Sequence, residues 1–144
     1  MLHTLQELLE RMGECADALE DIVVKEQEAA RFFDGDALMV LMDRRVQAYN
    51  ELAELEEICK TLITSETTPE KMTLEAFIDC YTGGMDKASF QSLRRELYER
   101  LLRVERGNAE NRIRLHAAYD VTTNVLVHVG ATEKKQTYGP RETK

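Results

Sequence analysis

The chain has no tryptophan, two prolines and seven glycines among 144 residues. That is too few turn-forming residues for a sheet fold, which reverses direction about every 8–12 residues. No apolar run approaches the ~18 residues that a membrane span requires; the longest, "ALMVLM", covers residues 37–42. The first helix-like segment carries Glu7, Glu10 and Arg11 where a signal peptide needs an unbroken apolar stretch. Cysteine is scarce too. Cys15, Cys59 and Cys80 are odd in number and far apart, so they form neither a disulfide framework nor a zinc motif and read as thiols of a reducing compartment.

Chemistry-bearing motifs are missing as well. His3, His116 and His128 never form a His-Glu-x-x-His pair, and there is no Gly-rich phosphate loop, serine elbow or di-iron Glu-x-x-His pattern. The "DGD" at 34–36 invites a calcium-loop reading, but Leu38 occupies the next ligand position and the terminal Glu is missing. No catalytic, cofactor or metal site is therefore expected, and the chain reads as a cytoplasmic non-enzyme. A net charge of −8 also excludes the clustered cations on which nucleic-acid affinity is built.

What the chain has in quantity is helix. Hydrophobic residues make up 43% and charged residues 32%, the balance of a helix-rich soluble protein. Leu5, Leu8, Leu9, Met12, Ala16, Leu19, Ile22, Val23 and Ala30 recur in steps of three and four, one face of a helix over about 2–33. Gly35 suits a left-handed helix stop and Asp36 the N-cap of the next helix. The second helix spans about 37–64, with Leu38, Leu41, Met42, Arg45, Tyr49, Leu52, Leu55, Cys59 and Leu62 on its stripe. Thr68 before Pro69 predicts an N-cap and first-turn proline opening a short helix over 69–80, after which Gly83 and Gly84 release the chain.

The final helix, about 87–130, carries a stripe from Phe90 through Leu93, Leu97, Leu101, Val104, Asn108, Asn111, Leu115, Tyr119, Thr122, Leu126 and Val129. Its spacing of about 3.5 residues is that of a coiled-coil seam. "ERGNAEN" places Gly107, Asn108 and Asn111 in mid-helix, where Gly costs ~1 kcal/mol relative to Ala. The two asparagines either lie on a wet flank and fix register or hydrogen-bond a partner's backbone. "VTTNVLVHV" alternates like a strand, yet no second strand pattern exists to pair with it, so helix is predicted. Leu102, Ile113, Val125 and Val127 lie off the stripe. Either the short 69–80 helix covers them or they belong to a face that captures a partner's amphipathic helix.

Residues 131–144 are a separate object. Four cationic side chains against two acidic ones leave them at +2, so the preceding 130 residues carry −10. Small, charged and containing Gly139-Pro140, this tail is predicted disordered; Tyr138 on such a basic leash also suits transient docking.

The expected fold is all-α: an elongated antiparallel three-helix bundle with coiled-coil-like packing over 1–130, a long final helix and the tail at 131–144. The order of "LLER" and "VVKEQEAA" in the first helix, the break at "DGDALMVLMDRR", "NAENRIRL" in the last helix and the terminal "QTYGP" resembles the flagellar export chaperones of the FlgN family. The resemblance implies a cytoplasmic helical protein that binds the C-terminal amphipathic helix of hook-filament junction (hook-associated) proteins and delivers them to the type III export gate. By position, Asn108, Asn111, Leu115, Tyr119 and Leu126 match the cargo-binding residues, and Tyr138 the tyrosine that docks on the cytoplasmic domain of the gate. The other reading of the same sequence is a helical adaptor or structural subunit that forms a homodimer through its final helix.

Overall fold

The structure, a computed structural model, describes residues 2–66 and 72–130. They form four helices, α1 (Leu2–Arg31), α2 (Gly35–Glu66), α3 (Leu74–Tyr81) and α4 (Gly84–His128), and among the described residues there is no strand. The valine-rich segment that alternates like a strand is helical through His128. Cross-helix pairs give the directions. Arg100 reaches Gly13 and Asp17, Arg103 reaches Glu20, and Asn111 reaches Val23 and Glu26, so α1 and α4 run parallel. Arg11 meets Glu51 while Glu26 meets Arg45, so α2 runs antiparallel to both. The arrangement is the up-down-up bundle expected, with α1 packed along both α2 and α4.

The α1–α2 turn departs from the expected chemistry. Phe33, not Gly35, is the left-handed residue, with φ 55°. Asp34 N–H donates to Ala29 O and Phe33 N–H to Ala30 O, the paired bonds of a Schellman stop with Phe33 at the position glycine favours. Asp34, not Asp36, caps α2: its Oδ1 accepts from Ala37 N–H at 3.0 Å. Gly35 is the first residue of α2. Each of the three residues in "DGD" can end or start a helix, and the spacing of the two apolar stripes leaves room for either choice.

The short helix starts later than expected. Met72 and Thr73 are not helical, and Thr73 is the N-cap, accepting from Ala76 N–H at 3.1 Å. Thr68 and Pro69 lie outside the described residues. α3 tucks Phe77 and Ile78 fully into the bundle, and Gln91 of α4 donates to Asp79. α3 thus closes the end where α4 begins.

The core is graded along the bundle. At the α3 end all four helices contribute, with Leu5, Leu8 and Leu9 against Leu55, Ile63, Phe77, Phe90 and Leu97. In the middle Leu19 and Val23 meet Val104. At the turn end Ile22, Ala29 and Leu41 pack together in a cluster that includes no α4 residue. Cys15 and Cys59 are buried in the thick part and Cys80 is exposed. Burial is the main cause that raises both buried thiols, with Glu51 adding to the effect on Cys15, which is pushed up to about 11.

Three outcomes follow. Phe33→Gly removes the left-handed strain at an exposed site and raises stability by about 0.5–1 kcal/mol in urea unfolding. With Ellman's reagent at neutral pH, one thiol reacts rapidly in the folded chain and three in denaturant. Cys15 is held protonated by the fold, so its contribution to stability is intact below the ordinary thiol value of 9.0 and fades as pH rises through about 11. Unfolding titrations across that window show the decline, and it is smaller in Cys15→Ala.

Candidate functional site

The middle of the bundle is joined by a polar network. Glu26 of α1, 5% exposed, accepts two hydrogen bonds from the Arg45 guanidinium of α2, one of them at 2.6 Å from Nη1. Arg45 Nη2 also donates to Asn108 Oδ1 at 2.7 Å, and Asn108 Nδ2 donates to the Tyr49 hydroxyl at 2.9 Å. Asn111, 3% exposed, donates from Nδ2 to Val23 O at 3.0 Å and to Glu26 at 3.3 Å. One carboxylate is therefore shared by a side chain from each of the other two long helices. Charge-assisted, two-pronged bonds of this kind fix geometry as well as energy.

Gly107 explains how α4 comes so close. A Cβ at this position would lie 2.5 Å from Val23 Cγ1, so only glycine permits the approach that brings Asn111 to the Val23 carbonyl. The intrinsic cost of glycine in mid-helix is offset by this contact.

Past Asn111, α4 draws away from the bundle's interior. Asn111 is its last buried residue, and none of residues 112–130 is buried. The offset between paired α1 and α4 residues, 85 to 88 positions, sets Arg31 level with about residue 117. The last dozen helical residues therefore run about 18 Å beyond the α1–α2 turn at ~1.5 Å per residue. This overhang exposes Val121, Val125, Leu126, Val127 and Val129. α3 does not cover the off-stripe residues: it packs beside Phe90 and Gln91, far along α4 from Ile113, Val125 and Val127, which are exposed. Leu102 is half-buried.

The proposed site residues fall into three groups. Asn108, Asn111 and Leu115 share one cavity with Glu26, Arg45, Arg112 and His116, opening between α2 and α4. Both asparagine side chains are engaged by the protein's own groups, as register-fixing residues would be. Tyr119, partly exposed, is one turn beyond Leu115, and Leu126, 40% exposed, stands two further turns out on the overhang. Tyr138 lies outside the described residues.

Glu26 escaped the sequence reading. Its signal was its spacing: it falls three residues after Val23 and four before Ala30, on the apolar stripe, opposite an equally misplaced Arg45. Met39, Met42 and Val46 of α2 are also exposed apolar residues. Among the described residues no group of three or more His, Cys, Asp or Glu is placed to hold a metal ion, and no helix is long and apolar enough to cross a membrane.

Two mutational outcomes test the network. Arg45→Met leaves the Glu26 carboxylate buried and short of its cation, costing about 3 kcal/mol, whereas Glu26→Leu with Arg45→Met recovers more than half of that loss. Gly107→Ala gains helix propensity but overpacks Val23, for a net loss of about 1 kcal/mol. Combined with Val23→Ala it costs less than the two single changes added. Denaturant titrations of each variant give these values directly.

Compared with known proteins, the chain matches the family model FlgN, described as FlgN protein, over residues 1–144. No curated protein and no solved structure matches it.

Proposed function

The chain belongs to the FlgN family of flagellar export chaperones, and from that premise we propose that it binds the C-terminal amphipathic helix of hook-filament junction proteins in the cytoplasm and delivers them to the type III export gate. The observation that carries the proposal is the mismatch in α4: a helix anchored by Asn111 that, beyond about residue 117, outruns α1 and α2 with apolar side chains on its surface. α1 and α2 end where the overhang begins, so a cargo helix laid against α4 replaces the neighbours they no longer supply. Burial of such side chains contributes roughly 25 cal/mol per Å².

Leu115, Tyr119 and Leu126 are proposed to touch cargo, with Asn108 and Asn111 holding α4 in register beneath them. Met42, one turn before Arg45 on α2, is exposed, and its flexible thioether suits more than one cargo sequence. Tyr138 is proposed to dock on the cytoplasmic domain of the gate. FlgN is a family of chaperones rather than of enzymes, in keeping with a site built from apolar contacts.

The exposed overhang also suits pairing of two copies, the basis of the adaptor reading. The stripe available for that begins after Asn111, because residues 90–111 supply side chains to the bundle's own interior.

Leu115→Glu and Leu126→Glu each weaken binding of the cargo's C-terminal helix at least ~10-fold by calorimetry, with circular dichroism unchanged. Retained affinity in both variants overturns the site. Deleting residues 131–144 leaves cargo binding intact and abolishes export in motile cells; normal export after that truncation removes the role given to Tyr138. Sedimentation at micromolar concentration gives a monomer, and a stable dimer dissolved by Leu126→Glu favours the adaptor instead.

A further inference from the structure

Resting on the chaperone reading, we infer that the cargo helix is held between two walls, with α2 as the second, and that it carries carboxylates along the flank facing Arg112. The direction in which α2 faces comes from its hydrogen bonds. Arg45 and Tyr49 both reach Asn108 of α4, so this edge of α2 looks across the cavity. Met42 lies one turn before Arg45 on the same edge, and because α2 and α4 are antiparallel it stands about level with Arg112. It is 60% exposed. Leu115 forms the facing wall, with Tyr119 one turn further along α4, and Glu26, Arg45 and Asn111 form the polar floor.

The charge of the groove selects the occupant. Its only carboxylate in the lining, Glu26, is consumed by Arg45 and Asn111. What remains is donor-rich. Arg112 has no ion pair with any described residue, and the buried Arg45 Nε has no hydrogen-bond partner among them. His116 lines the same cavity and lies 3.7 Å from Asp120 on the solvent side. In a body that is otherwise strongly acidic, this locally cationic, apolar-walled cleft favours an amphipathic helix with Asp or Glu beside its apolar stripe. A basic helix would be repelled by Arg112 while leaving its own charges without partners.

The test uses the full-length chain and, as probe, the synthetic C-terminal helix of the junction protein encoded in the same genome, in native form and with its acidic residues changed to Lys. Met42→Glu lowers affinity for the native probe at least ~10-fold. Arg112→Glu lowers it several-fold at low ionic strength, mainly by slowing association, and this difference vanishes in about 1 M salt, where the screening length is ~3 Å. The Lys-substituted probe binds Arg112→Glu more tightly than it binds the unmodified chain. Native-like affinity in Met42→Glu alongside lost binding in Leu115→Glu overturns the second wall while leaving the chaperone reading intact. Affinity unchanged in Met42→Glu, Leu115→Glu and Leu126→Glu together overturns both. If the unmodified chain sediments as a dimer that Met42→Glu dissolves, the groove holds a second copy and the inference falls.

Discussion

The shared Glu26 carboxylate is the constraint on which the rest of the molecule turns. A buried charge is tolerable only where donors surround it, and here those donors come from α2 and α4, so the three long helices are locked in one rotational and axial setting. Arg45 brings α2 to α1, Asn111 brings α4 to α1, and Asn108 connects Arg45 to Tyr49. Leucine packing is forgiving of a one-turn slip. A carboxylate with two partners is not, and buried polar groups are well attested as devices that fix register.

On either side of this lock the bundle does different things. Toward α3 the core is thick, closed by Phe77 and Ile78, and supplies the bulk of the apolar burial. Toward the turn it narrows to contacts between α1 and α2, and α4 moves into solvent. Stability and interaction surface are thereby placed at opposite ends. Substitutions on the overhang touch no core residue, so its surface can change with little effect on the energetics of folding.

Much of this was legible in the residues. Helical class and the faces turned inward followed from leucine spacing, since steps of three and four admit one solution. The turn was harder because Asp34, Gly35 and Asp36 are all competent cap residues, and the Schellman stop used Phe33, which propensity disfavours. The asparagines carry two meanings in the sequence; the internal bonds they make, Asn111 to Glu26 and Asn108 to Arg45 and Tyr49, were not legible because Glu26 is hidden among many surface acids. The overhang was invisible for a different reason. Helix lengths can be read from one chain, but how far one helix outruns another depends on axial offset, and that is set by Gly107 and Asn111 rather than by periodicity.

Gly107 and Asn111 also limit how α4 can move. To slide by one helical turn, about 5.4 Å, α4 would have to carry a side chain into the place of Gly107 against Val23 and strip Asn111 from the Val23 carbonyl. The overhang is thus a fixed length of helix on a fixed footing, able to bend or unwind but not to extend or retract. It acts as a gauge: any helix laid along it is matched only over the span that the glycine contact allots.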